Sequence, residues 1–309
     1  MVTETCTQPR LGVPRSILHY EFDGVVERFL RELGFDVELS PPTNREIFLA
    51  GKRLVIDELC FPIKVFVGHA AYLVGRSVDR VVIPVIVGHE SNRVFPCHPR
   101  SRLADIVCAL GVCQRDQLLM PAFRYDHRGL TRPGFLELGW MLGVAEPECI
   151  AALERASNDP RPATPAEMQH AGPSIGLVGR PYVVQDAWIS NDIIERLRAL
   201  ECRVMTESDG PPLGYAPEGT GLHFALAART VALAKAWDRD PAIDGILFLL
   251  PFNCGPDGDI ARHLNHSIKK PMLTLVLDEL QSNAGLVTRL EAFIDMIDRS
   301  AVVPGGVVQ

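Results

Sequence analysis

The chain has 309 residues, which is enough for two ordinary domains. Hydrophobic residues make up 47% of the sequence and charged residues 22%, a globular composition that excludes a disordered chain. The net charge is −7 and the basic residues are dispersed, which excludes the basic surface typical of nucleic-acid-binding proteins. The sequence contains no apolar run of membrane-spanning length, and MVTETCTQPR lacks the apolar core of a signal peptide, so we expect a cytoplasmic protein without a membrane partner.

Strand-like and helix-like runs alternate along the first half of the chain. The predicted order is strand Leu11–Val13, helix Glu21–Leu33, strand Asp36–Leu39, a helical region over Asn44–Gly75, strand Arg80–Pro84 and strand Leu118–Pro121. Such alternation is typical of an α/β fold with a mostly parallel sheet.

The second half repeats the same order. Its predicted elements are strand Ser174–Val178, helix Asn191–Leu200, strand Arg203–Thr206, helix Glu218–Trp237, strand Gly245–Leu250, a helix from near Asp257, strand Met272–Leu277 and helix Gly285–Arg299. We therefore predict two Rossmann-like domains with mostly parallel sheets and a cleft between them. The first domain would cover 1–150, a Pro- and Ala-rich linker 151–173, and the second domain 174–309.

Polar side chains follow several of the predicted strands. In parallel sheets, ligands bind beyond the carboxyl ends of the strands, so these loops are the expected site. The candidates are Arg15, His19, Tyr20, Arg180, Tyr182, Asn253, Asp278 and Glu279.

Eight cysteines are present, none in a CxxC pair, and a cytoplasmic setting favours thiols or metal ligands over disulfides. Cys60 precedes Pro62 at a predicted helix start, Cys97 lies between prolines, and Cys254 follows a buried strand in PFNCGPDG. Cys108, Cys149 and Cys202 have the pattern of buried small hydrophobes or incidental thiols, as does Cys6 near the N-terminus, while Cys113 fits either class.

Spacing alone leaves three interpretations of Cys60, Cys97 and Cys254 open. They could be unrelated core residues, ligands of one metal site, or three ligands of a Cys₃His zinc site. In the last case the fourth ligand would be His69, His89 or His98.

Six longer stretches, taken together, resemble one known protein family. They are GVPRSILHYEF, FLRELGFDVELSPPTNREI, DELCFPIKVFVGHAAYL, VGRPYVVQDAWISNDII, PFNCGPDG and DELQSNAGLVTRLEAFIDMI. Together they resemble the activator-associated domain of the 2-hydroxyacyl-CoA dehydratase family, which includes dehydratase and benzoyl-CoA-reductase-like subunits. The resemblance runs from about Arg10 to Asp298.

This resemblance implies two Rossmann-like domains around a [4Fe-4S] cluster held by Cys60, Cys97 and Cys254. Arg15, Tyr20, Arg180 and Asn253 would line the cluster cleft, although turn stabilisation explains Arg180 and Asn253 equally well. Three cysteines would leave one iron available to a further ligand, whereas a four-cysteine cluster is closed and transfers electrons. The implied role is to accept low-potential electrons and either pass them on or use them on a small substrate.

The resemblance also implies partners. The chain lacks a P-loop motif, so the ATP-hydrolysing activator would be a separate protein. A CoA thioester or another small substrate, and a second copy of the chain in a dimer, are further candidate partners. Two alternatives are a catalytic component of a 2-hydroxyacyl-CoA dehydratase or acyl-CoA reductase, and a non-enzymatic scaffold with structural zinc or thiols. Where relatives read Asp-Glu-His this chain has Asp278-Glu279-Leu280, and His98 separates Cys97 from Pro99.

Overall fold

The computed structural model describes residues 8–90, 95–126, 128–158, 172–211, 213, 224–279 and 283–302. The chain divides into two compact units, Met1–Ala163 and Thr164–Gln309, and each unit is described by itself. Among the residues with described positions, no helix is both long enough and apolar enough to cross a membrane.

The first unit alternates strands with helices. Its strands are β1 (Leu11–Val13), β2 (Val37–Leu39), β3 (Arg80–Val82), β4 (Val85–His89), β5 (Leu118–Leu119), β6 (Ala122–Asp126) and β7 (Gly129–Leu130). Its α-helices are α1 (Leu18–Glu21), α2 (Val25–Glu32), α3 (Arg45–Leu54), α4 (Phe61–Val74), α5 (His98–Ser101), α6 (Leu103–Ala109), α7 (Arg132–Met141) and α8 (Glu146–Ser157).

The second unit follows the same plan. Its strands are β8 (Ser174–Val178), β9 (Arg203–Met205), β10 (Gly245–Pro251) and β11 (Met272–Leu277). Its α-helices are α9 (Pro181–Val184), α10 (Ile193–Ala199), α11 (Ala225–Arg239), α12 (Gly255–Ser267) and α13 (Asn283–Val302). Part of the helix predicted over 218–237 falls on residues 218–223, which lie outside the described residues.

Each unit contains one four-stranded, fully parallel sheet, and the two sheets have equivalent strand orders. The first sheet runs β2-β1-β3-β5 and the second, read in the same sense, runs β9-β8-β10-β11. In both sheets, the second strand along the chain lies on one side of the first strand, and the third and fourth strands lie on its other side. The order therefore reverses between β1 and β3, and between β8 and β10, and the crevice at such a point is where α/β sheets bind ligands. This arrangement confirms the predicted α/β class with mostly parallel sheets.

A third sheet in the first unit was not predicted. It has the order β4-β6-β7, with β4 and β6 parallel and β7 antiparallel. Two neighbouring strands, β3 and β5, each run into a proline and then continue as β4 and β6. Pro84 and Pro121 mark these changes, and the amide of Val85 donates to the carbonyl of Pro121 at 2.9 Å. Proline has no backbone N–H to donate to a neighbouring strand, so the hydrogen-bond ladder is interrupted there and the two sheets are separated.

Three predicted segments differ from the observed elements. The helix predicted over Glu21–Leu33 is broken into α1 and α2 because Asp23 and Gly24 have φ angles of 50° and 66°, which no α-helix accommodates. The predicted helical region 44–75 is interrupted at residues 55–60, between α3 and α4. The predicted linker 151–173 is helical as far as Ser157, and residues 159–171 lie outside the described residues.

The helical part of that linker belongs to the core of the first unit. Ala152 and Ala156 of α8 are fully buried, and the side chain of Arg28 in α2 donates to the carbonyl of Ala156 at 2.9 Å. Arg155 reaches Glu32, also in α2, at 2.5 Å. Small side chains on α8 thus allow close packing against α2, which a sequence rich in alanine and polar residues did not indicate.

Two glycines allow helix α4, which begins after Cys60, to pack closely against α3. A Cβ atom on Gly68 of α4 would lie 2.0 Å from the carbonyl oxygen of Ile47, and one on Gly51 of α3 would lie 1.9 Å from the carbonyl oxygen of Lys64. Only glycine permits so close an approach of two backbones. The α3–α4 pair therefore fixes the position of the Cys60 turn within its unit.

Candidate functional site

The three cysteines singled out by sequence occupy the same local structure. Each is the N-cap residue of a helix whose second residue is proline: Cys60 with Pro62 (α4), Cys97 with Pro99 (α5), and Cys254 with Pro256 (α12). The backbones of Cys60 and Cys97 are nearly identical, with φ −64° at both and ψ 151° and 150°. Proline at such a position loses no helical hydrogen bond and fixes the first turn. We call this arrangement the Cys-X-Pro cap.

The thiols of all three caps are partly accessible. Cys60, Cys97 and Cys254 are half-buried, and each of the seven cysteines within the described residues is a thiol. The N-terminus of a helix carries partial positive charge, which favours a thiolate. Among the side chains with described positions, no three His, Cys, Asp or Glu residues within one unit form a metal-binding group. A shared three-cysteine site therefore remains a prediction.

A buried ion pair lies one turn after the Cys97 cap. Arg100 is three residues beyond Cys97, and its guanidinium donates through Nε to Glu21 Oε2 at 2.7 Å and through a second nitrogen to Glu21 Oε1. Glu21 ends α1, which follows β1, and both side chains are almost fully buried. Burial, the largest influence, raises the pKa of the neighbouring Tyr125 to about 12, while Arg100 acts to lower it and Glu21 to raise it. The pair ties the Cys97 turn to the loop after the first strand.

The second unit has an equivalent pair with the charges exchanged. Asp257 is three residues beyond Cys254, and Arg180, which follows β8, donates through Nε to Asp257 Oδ1 at 2.8 Å. A second guanidinium nitrogen donates to the same oxygen. Burial acts to lower the pKa of Arg180, but the attraction of Asp257, Tyr182 and Cys254 outweighs it, so the pKa lies above its ordinary value. The guanidinium is therefore a permanent positive charge that acts on Cys254.

Arg15 is part of a hydrogen-bond network at the carboxyl end of β1. Its amide donates to Ser40 Oγ at 2.7 Å, and its Nε donates to the Ser40 carbonyl at 3.1 Å. Ser40 Oγ in turn lies 2.8 Å from His69 Nδ1, and Thr43 Oγ1 lies 2.9 Å from His69 Nε2. The network joins the loops after β1 and β2 to helix α4.

This network excludes one alternative from the sequence. Both ring nitrogens of His69 are bound to hydroxyl groups, so the side chain has no nitrogen for a zinc ion. Burial, followed by the charges of Arg15 and His19, lowers the pKa of His69 to about 3. His69 is thus a neutral, satisfied core residue, and its assignment as a fourth metal ligand is wrong. Of the other two histidines, His98 is exposed on α5, and His89 packs edge-on against Tyr125.

The remaining predicted site residues lie in the same loops. Tyr20 is half-buried in α1, edge-on to His19 with ring centroids 5.3 Å apart. Asn253 is exposed and has φ 59°, a left-handed conformation that turns the chain from β10 into the Cys254 cap. Asparagine tolerates this conformation better than most residues. Arg15 and Tyr20 therefore belong to the first unit, and Arg180 and Asn253 to the second.

Three of the other described cysteines, Cys113, Cys149 and Cys202, are buried, whereas Cys108 is half-buried like the three cap cysteines. Burial, the largest influence, together with the charge and the hydrogen bond of Cys108, raises the pKa of Cys113 to about 11. Burial likewise raises the pKa of Cys202 to about 11, with Asp298 adding to the effect. Cys149 is almost fully buried against Gly139. Cys6 lies outside the described residues.

Sequence reasoning missed Glu21, Arg100 and Asp257. A signal for two of them was present, since CHPR and CGPD both place a charged residue directly after the proline of the cap. That residue falls in the first helical turn, where it pairs with a residue that follows the first strand of its sheet. CFPI at Cys60 has no such charge, and the residue after its proline, Ile63, is a buried apolar side chain.

Comparisons with solved structures give only distant likenesses. The catalytic subunit of cobaltochelatase from Mycobacterium tuberculosis is 14% identical to this chain, with a TM-score of 0.28. The match covers 87% of this chain and 21% of the subunit, so the chain spans about a fifth of that protein. A sugar ABC transport substrate-binding protein from Bordetella parapertussis is 13% identical with a TM-score of 0.23, over 96% of this chain and 82% of that one. Scores this low carry no argument.

Comparison by sequence is more informative. No curated protein matches the chain significantly. Residues 10–209, about two thirds of the chain, match the family described as the CoA enzyme activase uncharacterised domain (DUF2229). The match includes the Cys60 and Cys97 caps and Arg180, and it ends before the Cys254 cap. The chain belongs to the CoA enzyme activase uncharacterised domain family.

Proposed function

We propose that this chain is an iron-sulfur protein that serves CoA-enzyme activation, and that Cys60, Cys97 and Cys254 hold one [4Fe-4S] cluster. The family links the chain to CoA-enzyme activation. The observation that carries the proposal is the repeated Cys-X-Pro cap, because three half-buried thiols each occupy the N-cap position of a helix whose second residue is proline. Helices α7 and α8 have the same proline position after Thr131 and Ala145, so the distinguishing feature of the three caps is the partly accessible thiol at the N-cap.

The donor set fits such a cluster. Thiolates are the usual protein ligands of iron-sulfur clusters, and a helix N-terminus favours the anionic form that binds iron. Three thiolates leave one iron open to a further ligand. When bound, the cluster supplies one-electron chemistry at low potential.

The chain's own charges support this assignment in the second unit. Arg180 is buried, positively charged and close enough to Cys254 to act on it electrostatically. A fixed positive charge beside a thiolate lowers the cost of holding negative charge in a buried setting. We assign Arg180 the role of stabilising the Cys254 ligand, and Arg15, Tyr20 and Asn253 the role of shaping the surroundings of the cluster.

The electron source would be a partner. We propose an ATP-hydrolysing activator protein as this partner, because the family is described by CoA-enzyme activation. The chain would accept an electron from that protein and either pass it on or deliver it to a small substrate such as a CoA thioester.

The experiment replaces each ligand separately. Cys60→Ser, Cys97→Ser and Cys254→Ser are purified without oxygen beside Cys108→Ser, a control whose thiol is also half-buried. We expect each of the three ligand variants to lose at least half of the bound iron and of the visible absorption, with the control unchanged. Full iron in all three would overturn the proposal, and zinc in place of iron would assign the thiols a structural role.

A further inference from the structure

Two cysteines outside the proposed cluster site are in contact with each other. The side chains of Cys108 and Cys113 are joined by a hydrogen bond. Cys108 lies in α6 and is half-buried, whereas Cys113 lies just beyond the end of that helix and is buried. Neither is a proposed cluster ligand, so a role for this pair does not depend on an iron-sulfur cluster.

The end of α6 turns the chain back along the helix. The amide of Gly111 donates to the carbonyl of Cys108 at 2.9 Å, and the amide of Val112 donates to the carbonyl of Val107 at 3.1 Å. This pair of bonds is the Schellman motif, and Gly111 has the left-handed conformation that the motif requires, with φ 69°. The turn therefore carries Cys113 back to Cys108.

Two further hydrogen bonds hold the returning segment in place. Arg115 Nη1 donates to Asp105 Oδ1 of α6 at 3.0 Å, between exposed side chains. The amide of Gln114, which directly follows Cys113, donates to Gln117 Oε1 at 2.8 Å. Bonds on both sides of Cys113 thus fix its backbone, so the contact between the two thiols is preorganised.

The two thiols are suited to different steps of a disulfide exchange. Cys108 is partly accessible, so a small molecule can reach its sulfur. The pKa of Cys113 is about 11, raised by burial and then by the charge and hydrogen bond of Cys108, so this thiol keeps its proton at neutral pH. An accessible thiol beside a second, resolving thiol is typical of reversibly oxidised cysteines.

We propose that Cys108 and Cys113 form a reversible disulfide site that is oxidised by a small-molecule disulfide such as oxidised glutathione. The thiolate of Cys108 attacks one sulfur of the small disulfide, the sulfur–sulfur bond breaks, and one small thiolate leaves and takes up a proton. Cys113 then gives its proton to water and attacks the sulfur of Cys108, which releases the second small thiolate to be protonated in turn. The two cysteines lose two electrons, and the small disulfide gains them as it becomes two thiols.

The first step makes the second step easier. In the mixed disulfide the sulfur of Cys108 is neutral, so it no longer raises the pKa of Cys113 through its charge. Cys113 then forms a thiolate more readily. The turn also holds the sulfur of Cys113 beside the bond that must break, so we expect ring closure to outpace attack by a second small thiol.

The test uses a tryptic peptide that contains these two cysteines and no other. Trypsin cuts after Arg102 and Arg115 and releases LADIVCALGVCQR. The full chain is purified without oxygen, incubated with oxidised glutathione, freed of glutathione, alkylated with N-ethylmaleimide in urea, digested and analysed by mass spectrometry.

We expect this peptide to carry no alkyl group and to be two hydrogen atoms lighter than the reduced peptide. Dithiothreitol added before alkylation should restore two alkylated cysteines. Cys149, which is buried in the same unit, is the internal control and should be alkylated with or without the oxidant. Two alkylated cysteines after oxidation, glutathione that stays on Cys108, or equal oxidation of Cys149 would overturn the proposal.

Two cysteine variants separate the steps. Cys113→Ala should stop after the first step, so that glutathione remains attached to Cys108. Cys108→Ala should leave Cys113 as a thiol, because the oxidant does not reach the buried sulfur. Glutathione on Cys113 in this second variant, to the extent seen on Cys108 in the first, would contradict the assigned order.

A glycine variant tests the part played by the turn. Gly111→Ala strains the left-handed residue, and among the described residues no neighbouring atom comes within 4 Å of the new methyl group. We expect the equilibrium constant for disulfide formation, measured in mixtures of reduced and oxidised glutathione, to fall about fivefold or more. Gly143→Ala places the same strain at the end of α7, with φ 74°, and should leave that constant unchanged. Equal constants in Gly111→Ala and the wild type would show that the turn does not preorganise the pair.

Discussion

Arg180 directs two N–H donors at a single oxygen of Asp257, Oδ1, and the other oxygen, Oδ2, is buried without a hydrogen bond from any described residue. The equivalent pair in the first unit, Arg100 and Glu21, uses both carboxylate oxygens. Both pairs join the first turn after a Cys-X-Pro cap to the loop after the first strand of a parallel sheet. We infer that the ion pairs hold these two caps at the carboxyl edges of their sheets.

Removal of Asp257 should therefore be costly. In Asp257→Ala the guanidinium of Arg180 would remain buried without its counter-charge, and breaking such a pair costs about 3–5 kcal/mol. We expect the free energy of unfolding of the second unit, followed by urea denaturation, to fall by about that amount. The double variant Arg180→Met with Asp257→Leu should lose less than the sum of the two single changes.

The matched control is an exposed ion pair of the same unit. Arg198 pairs with Glu195 on the surface of α10, at 2.7 Å, and exposed pairs contribute less than about 1 kcal/mol. Arg198→Ala should therefore leave the urea midpoint nearly unchanged. Equal losses in Asp257→Ala and Arg198→Ala would show that the buried pair does not hold the Cys254 cap.

His69 gives the first unit a definite pH dependence. The pKa of His69 is about 3 in the folded protein, against an ordinary value of 6.5 that applies to the unfolded chain. Between pH 3 and pH 6.5 the unfolded chain therefore binds a proton that the folded chain does not. Stability should therefore be intact above pH 6.5, fall by about 1.4 kcal/mol per unit as the pH drops below it, and level off near pH 3. Urea unfolding at pH 7, 6, 5 and 4.5 measures this slope.

Two variants separate the contribution of His69 from those of other groups. His69→Gln should be less stable at pH 7, since it cannot bind Ser40 and Thr43 equally well, but its pH slope should be shallower by about 1.4 kcal/mol per unit. His263→Gln, at an exposed histidine of α12, should keep the wild-type slope. The assignment fails if His69→Gln and the wild type have parallel pH profiles.

The close approach of α3 and α4 is tested by a single methyl group. In Gly68→Ala the new Cβ would lie 2.0 Å from the carbonyl oxygen of Ile47, so the two helices must move apart. We expect a loss of about 2 kcal/mol or more in the free energy of unfolding. Because α4 begins at Cys60, the Cys60 thiol should also react faster with iodoacetamide.

Gly285→Ala is the contrasting change. Gly285 lies in α13, and among the described residues no neighbouring atom comes within 4 Å of the place that an alanine methyl group would take. Alanine in a helix is favoured over glycine by up to about 1 kcal/mol. This variant should be as stable as the wild type or more so. If Gly68→Ala were equally stable, the helix contact would not require glycine.

Local patterns in the sequence identified the main framework. The strands β8, β10 and β11 were predicted to within a residue, because all three are mostly apolar runs. Two of them, β8 and β10, lie inside their sheet, where parallel strands are covered on both faces. Pro62 correctly placed the helix start at Cys60. In the third sheet, which was missed, β7 has two residues, too few to form a pattern, and β4 and β6 follow β3 and β5 almost directly in the chain.

The ion pairs could not be predicted for a different reason. Glu21 and Arg100 are 79 residues apart in sequence, and Arg180 and Asp257 are 77 apart. The charge after the proline of the cap marks Arg100 and Asp257, but no local pattern identifies the distant residue with which each of them pairs. His69 shows the same limitation, because its neutral state depends on hydroxyl groups of Ser40 and Thr43 contributed by another loop.

The most direct test of the central claim is the metal content of the wild-type chain. The protein is purified without oxygen, reconstituted with iron and sulfide, and analysed for iron, acid-labile sulfide and zinc. We predict about four irons and four sulfides per chain, the content of one [4Fe-4S] cluster. Zinc, or no metal after reconstitution, would contradict the assignment of Cys60, Cys97 and Cys254 as cluster ligands.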